Sequence, residues 1–479
     1  MYVPPVTPYC GFVRTQNGQP QLADGAVHCL VSGPTSAGKT RGVLAPASVM
    51  WGGPAVCVSS KDDLMWLVSS RRWGPKQVID LRPDYSAMYP PDVELRSFDP
   101  TALITIPDQA VTAANTLMQM SAVGFGSGAD QVSDAGIWEA NAEAPLSAML
   151  YAASPRGNRK GIEWVLHAVD NTEKPPPPKE GEERKRPRLG PGWWTAAQSE
   201  AIKKLPLFKN GLLRTLDMDP RQRDSIALTM RKSVAPWMRL MLRGVTAPAF
   251  DPAFLDSPDA TLFILAPAEG SIAGAAVTLA DQLVRRWRAK TTQKEMMHRL
   301  LLCCDEIANV APMPALRHYV SEGRGLGVNL LVAVQSTSQL DTVYGRIYAD
   351  ELRDTFPSAL IMYGAAEEHM LRRGEMWSRK TTRRQETFDQ ATGGKTMSSH
   401  TDSSLDFHRL LPEDVGYARL LKRGAAGIGV ELPDWPDFLA RYKRTVDWFL
   451  QHGDPKTEPK TVWDLVVARH RRAIKASGQ

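Results

Sequence analysis

Long apolar runs are missing from this chain of 479 residues; none approaches the roughly 18 consecutive apolar residues of a membrane-spanning helix. The opening, Met1-Tyr2-Val3-Pro4-Pro5, lacks both the charged and the apolar segment of a signal peptide. The chain as it stands therefore reads as soluble. Cysteine is scarce as well: Cys10, Cys29, Cys57, Cys303 and Cys304 form no Cys-x-x-Cys pair, and the last four lie in apolar, strand-like stretches. They read as buried thiols in a reducing compartment. Nor is there a large excess of one charge, since 58 Lys and Arg against 52 Asp and Glu leave a net +6. That balance permits a polyanionic partner without establishing one. What the chain does have is bulk, with 43% hydrophobic residues. At about 150 residues per domain it has room for two or three ordinary cores.

Residues 33 to 40 read Gly-Pro-Thr-Ser-Ala-Gly-Lys-Thr and follow the apolar run Ala26-Val27-His28-Cys29-Leu30-Val31, which has strand character. This is the pattern of a phosphate-binding loop. Gly33, Pro34, Thr35, Ser36, Ala37, Gly38, Lys39 and Thr40 are expected to hold a nucleotide, because the glycine spacing lets successive backbone N–H groups turn toward phosphate. Lys39 reaches the β and γ oxygens of ATP, and the Thr40 hydroxyl is a ligand for Mg²⁺.

A second apolar strand, Leu300 to Cys304, runs directly into Asp305-Glu306. Carboxylates at the C-terminal edge of a sheet lie where open α/β folds bind ligands. In hydrolytic phosphate-loop enzymes the Asp of such a Walker B pair holds Mg²⁺ and an adjacent Glu takes a proton from the attacking water. Asp305 and Glu306 are assigned those roles. Arg324 lies in the glycine-rich turn Ser321 to Gly327, just before the apolar strand Val328 to Val334, and Gln335 caps that strand. A glutamine beside the γ-phosphate can position water, and an arginine from a neighbouring subunit can neutralise transition-state charge. On spacing alone, an ordinary surface arginine remains the simpler reading of Arg324.

Over residues 1–112, short apolar strands alternate with helical stretches, which predicts an α/β fold with a mostly parallel sheet. From 113 to 248 the spacing becomes helical, as in Trp138, Glu139, Ala142, Leu146, Met149 and Leu150, and predicts an all-α insertion. A proline run and the charged run Lys179 to Arg188 interrupt it at about 172–192, with the composition of a mobile surface loop. Strand texture returns over 249–423, so the α/β domain is split by the insertion. The segment 424–479 ends in a helix, Val462 to Lys475, crowded with Arg469, Arg471, Arg472 and Lys475, which reads as a solvated helix.

The stretch His28 to Pro46 resembles the nucleotide-binding loop of type IV secretion coupling proteins, the hexameric conjugative DNA-transfer ATPases. So does Ser59-Ser60-Lys61-Asp62-Asp63-Leu64 with Arg71, Gly74 and Phe98-Asp99-Pro100 downstream. The likeness strengthens through Asp305-Glu306-Ile307-Ala308-Asn309-Val310, Gly323-Arg324-Gly325-Leu326-Gly327 and Val334-Gln335-Ser336-Thr337-Ser338-Gln339. The resemblance implies a RecA-like P-loop ATPase motor, with Lys39 and Thr40 at the nucleotide, Asp305 and Glu306 in the Walker B roles, Arg324 acting in trans and Gln335 as sensor. It also implies DNA, a relaxase or another secretion substrate, and channel components as partners, and a homo-oligomer, a hexamer. The family usually carries N-terminal membrane helices, so attachment through a partner or through an anchor missing from this chain is expected, at the cytoplasmic face of the bacterial inner membrane.

The stretch Gly364 to Gln385 departs from the family pattern, and no functional residue is carried onto it. It holds Arg372, Arg373, Arg379, Lys380, Arg383 and Arg384 around Trp377, a cluster that could track a phosphate backbone, form a solvated face or meet another subunit. Two rival readings keep part of the chemistry: a protein-export ATPase without DNA cargo, and a non-hydrolysing, nucleotide-gated adaptor.

Overall fold

Short runs in which nearly every residue is apolar fit strands covered on both faces. Such runs build the interior of a computed structural model that describes residues 7–14, 17–18, 20–82, 88–121, 134–175, 189–242, 244, 246–268, 273–295, 298–365, 367–378, 380–388, 395–403, 406–452 and 462–477. The strands are β1 Phe12–Arg14, β2 Pro20–Leu22, β3 Cys29–Ser32, β4 Ala55–Ser59, β5 Lys76–Asp80, β6 Val93–Leu95 and β7 Thr261–Leu265. They continue with β8 Leu300–Cys304, β9 Val328–Val334, β10 Ser358–Met362, β11 Lys380–Phe388, β12 Lys395–Ser403, β13 Tyr417–Lys422 and β14 Ile428–Glu431.

Among the described residues, twelve strands form one sheet in the order β2-β1-β14-β13-β10-β3-β9-β8-β4-β7-β5-β6, and β11 pairs with β12 as a separate hairpin. From β10 to β6 every pairing is parallel; from β10 outward through β13, β14, β1 and β2 every pairing is antiparallel. The mostly parallel sheet expected from the sequence is present. Its antiparallel end is not foreshadowed there, because β1, β2 and β14 have only three or four residues each.

The strand period of two divides the core. Leu30, Val56, Val58, Leu300, Leu302 and Cys304 pack into one layer with the helices drawn from 107–242 and with Ala273–Thr292. Their neighbours Cys29, Val31, Ala55, Cys57, Leu301 and Cys303 pack into the other, with helices Ala45–Met50, Asp63–Ser69 and Trp435–His452. All five cysteines are buried free thiols. The helical stretch includes Pro107–Ser121, Asp134–Ala153, Gly161–Asp170 and Pro220–Leu242. Most of the expected loop at 172–192 lies outside the described residues, as do the side chains of Trp138 and Arg469.

The terminal helix Val462–Ser477 is not a free solvated helix. Val466 is buried in the second layer, Arg472 donates to both carboxylate oxygens of Asp259 at 3.0 and 2.8 Å, and His470 meets Trp73 edge-on with ring centroids 6.1 Å apart. Among the described residues no helix is long and apolar enough to cross a membrane.

Candidate functional site

In a parallel sheet the residues that follow each strand gather at one edge. The loop 33–40 leaves β3, Asp305-Glu306 leaves β8, and Gln335 leaves β9, the strand between them in the sheet order. Three segments far apart in sequence thus meet at the C-terminal edge. The loop is shaped by two left-handed residues, Ser36 with φ 66° and Gly38 with φ 83°. It opens into a π-helical turn, Lys39–Leu44, before the α-helix Ala45–Met50. Pro46, with no N–H to give, stands at the junction between the two hydrogen-bond patterns.

Lys39 is buried, and its ammonium donates to the carbonyls of Gly33 at 2.6 Å and Pro34 at 3.0 Å. Burial lowers its pKa, while Asp305 and Glu306 pull the other way. Thr40 Oγ1 donates to Asp305 Oδ2 at 3.2 Å. One hydroxyl and one carboxylate converge at the mouth of the loop. This is the hard, oxygen-only donor set that suits Mg²⁺, which takes few protein ligands and leaves the rest to phosphate and water. Gln335 Nε2 donates to Glu306 Oε1 at 2.9 Å, and the Gln335 N–H is held by Gln339 Oε1 at 3.0 Å. Glu306 itself stands in the left-handed region, φ 54° and ψ 54°. Such a conformation costs a non-glycine residue about 1–3 kcal/mol and clusters at functional sites.

Asp305 carries the clearest electrostatic mark. Burial, then the charges of Glu306 and Asp63, push its carboxyl from 3.8 up to about 6, against the pull of Thr40 and Lys39. Because the folded state holds this proton more tightly than the unfolded chain, stability contributed here falls as pH rises from about 4 to about 6. In metal-free buffer, Asp305→Asn is therefore expected to stabilise the protein above pH 6 by on the order of 2 kcal/mol. The gain should vanish below pH 4. Thermal melts of both proteins in EDTA across that range check it, and a gain that persists at low pH would assign it to packing instead.

Glu367 was not among the residues expected here. Its buried carboxylate accepts from Ser32 Oγ at 2.5 Å, from the Thr337 N–H at 2.7 Å and from Thr337 Oγ1. It therefore staples the end of β3, where the loop begins, to the turn just after Gln335. Arg353 closes the same turn from outside, donating to the Thr337 carbonyl at 2.6 Å and pairing with Asp341. Glu367→Ala leaves several buried donors unpaired and should cost about 2–4 kcal/mol of stability, read from the urea midpoint. Glu367→Gln, which keeps one acceptor, should cost less.

Arg324 lies elsewhere. It sits in the turn that enters β9, at the N-terminal edge of the sheet, and its side chain is exposed. The basic cluster is also only partly as expected. Arg372 pairs with Glu368 and stacks over Phe407 at 4.4 Å, while Arg373 pairs with Asp354 and donates to the Arg353 carbonyl. These two cations are held within the chain. Trp377 is exposed; Arg379, and the side chains of Lys380, Arg383 and Arg384, lie outside the described residues.

A family model for type IV secretory system conjugative DNA transfer matches residues 6–417. No curated protein matches the chain. Among solved structures, the unbound bacterial conjugative coupling protein TrwB aligns at 17% identity over 88% of each chain, with a TM-score of 0.55. TrwB in complex with ADP and Mg²⁺ aligns at 18% identity over 88% of this chain and 89% of its own, with a TM-score of 0.53. TrwB with a non-hydrolysable ATP analogue aligns at 17% identity over 85% of each, also with a TM-score of 0.53. At these identities the likeness shows the fold alone: an α/β fold with a mostly parallel sheet, interrupted by a helical insertion.

Proposed function

The chain belongs to the type IV secretory system conjugative DNA transfer family, and we propose that it is an ATP-hydrolysing motor coupling DNA, or a protein–DNA substrate, to the secretion channel. The single observation that carries the reading is the meeting of Lys39, Thr40, Asp305, Glu306 and Gln335 at one sheet edge. Lys39 and the backbone of 33–40 bind the triphosphate. Thr40 and Asp305 would hold Mg²⁺, which when bound neutralises developing phosphate charge. Glu306, held by Gln335, takes the proton of the attacking water, and Gln335 aligns that water.

Arg324 stands at the opposite edge of the sheet from its own phosphate loop, an arrangement that suits action on a neighbour's nucleotide in a homo-oligomer, a hexamer in our reading. The helices within 107–242 act as the all-α domain. The family also implies a relaxase or other secretion substrate and the channel components as partners, at the cytoplasmic face of the inner membrane. Steady-state ATP turnover with and without single-stranded DNA, across a salt series, tests the proposal. DNA should raise kcat, and its affinity should fall steeply with salt, because phosphate contacts release counterions. Turnover that ignores DNA would shift the reading to protein export, and absence of turnover would leave a nucleotide-gated adaptor.

A further inference from the structure

We propose that Arg299 is a positioning residue, fixing the turn that presents Arg324 to a neighbouring subunit. The inference rests on the trans role proposed above for Arg324. The turn is a tight 3-10 segment, Gly323–Leu326, closed by Gly327. Gly323 and Gly327 both take positive φ, and a Cβ on Gly327 would stand 2.0 Å from Thr291 Oγ1. Leu326 is wholly buried beneath it while Arg324 is exposed. Glycines permit this shape but do not enforce it, since they add freedom to the backbone.

Enforcement comes from the guanidinium of Arg299. Its Nε donates to Asn329 Oδ1 at 2.5 Å, Nη1 to the Arg324 carbonyl at 2.9 Å, and Nη2 toward the Val328 carbonyl at 3.4 Å. One planar fork therefore grips both the entry of the turn, at Arg324 itself, and its exit into β9. Asn329, one of the gripped residues, is fully buried and cannot drift. Arg299 is anchored in its own right. Its carbonyl accepts from Trp51 Nε1 at 3.0 Å and packs so tightly on Gly53 that a Cβ there would stand 2.4 Å away.

His28, at the foot of β3, completes the platform. Its Nδ1 accepts from the Leu330 N–H at 3.1 Å. Burial and the neighbouring Arg299 charge push its pKa down to about 3, so the ring stays neutral and adds no like charge beneath the turn. A charge-neutralising arginine is useful only where its position is fixed before the reaction, and misplacement by about 1 Å can cost about 10²-fold in rate. A surface turn that merely connected two elements would have no need of such a clamp on the carbonyl of its one arginine.

The experiment measures kcat and KM for ATP in Arg299→Ala, Arg299→Lys and Arg324→Ala, each alone and mixed with Lys39→Ala subunits in the full-length oligomer. In a mixed ring, a Lys39→Ala subunit offers an intact Arg324 to a neighbour with an intact phosphate loop. Arg299→Ala should lose about 10²-fold in kcat, with KM changed less than about twofold. Mixing with Lys39→Ala should restore turnover above that of either variant alone. Arg299→Lys should fall between, because one ammonium cannot span Asn329 and Arg324 as a fork does. If Arg324→Ala is not rescued by Lys39→Ala, the trans reading fails and the inference falls with it. If Arg324→Ala is rescued but Arg299→Ala is not, or if Arg299→Ala keeps wild-type kcat, only the positioning role is overturned. Should Arg299→Ala not fold, the Arg299→Lys mixture decides by the same criteria.

Discussion

Glu306→Gln should leave nucleotide binding intact and lower kcat by about 10² to 10⁴-fold, the usual share of a general base. The substitution is close to isosteric, and the amide oxygen can still accept from Gln335 Nε2, the bond that holds the side chain at 2.9 Å. The left-handed backbone at position 306 costs Gln what it costs Glu, so folding should be untouched. What disappears is the capacity to accept a proton from water. Titration of a fluorescent ATP analogue should return the wild-type dissociation constant, while single-turnover hydrolysis collapses. Wild-type turnover in this variant would remove Glu306 from the chemistry and leave Gln335 aligned on a residue with no catalytic role.

The most legible parts of the chain were those fixed by local composition. The runs Leu300 to Cys304 and Val328 to Val334 become β8 and β9 without a shift, since stretches this short and this apolar, with Asn329 the one polar residue in β9, fit a strand covered on both faces. The strand before the phosphate loop moves to Cys29–Ser32 because His28 bonds sideways to β9 and Ser32 is claimed by Glu367. Neither contact is visible at short range. The same limit explains the missed edge of the sheet, where Phe12 faces Glu431 from the other end of the chain and three-residue strands are held by pairing rather than by propensity.

Site residues followed the same division. Those announced by contiguous motifs, Gly33 to Thr40 and Asp305-Glu306, lie together at the C-terminal edge of the sheet, with Thr40 bonded to Asp305. Glu367, Arg353 and Arg299 belong to no motif, because what they do depends on partners from distant segments. Arg72 is the extreme case: a fully buried guanidinium that donates to Thr261 Oγ1, to the Ser48 and Trp51 carbonyls at 2.7 Å, and to the Gly53 carbonyl. The sequence shows it only as one more basic residue beside Arg71, whereas the fold uses it to tie the end of helix Ala45–Met50 to β7.

Arg324→Ala carries the other large expected effect, a loss of about 10³ to 10⁵-fold in kcat with nucleotide affinity unchanged. The geometry decides where that loss must act. Arg324 precedes β9 and Gln335 follows it, so the seven residues of the strand, at about 3.3 Å each, put roughly 20 Å between them. No arginine side chain spans that distance, and Arg324 cannot serve its own phosphate loop. On the proposed trans role its effect passes between subunits, which would tie hydrolysis to assembly. Wild-type specific activity should therefore rise steeply with protein concentration until oligomers form, whereas Arg324→Ala should stay flat and low at every concentration. Sedimentation should show the two proteins assembling alike. Activity in wild type that is proportional to concentration down to the monomer, or an Arg324→Ala protein as active as wild type, would place the transition-state charge in the hands of a residue on the C-terminal edge, where Lys39 already stands in hydrogen-bond reach of the loop.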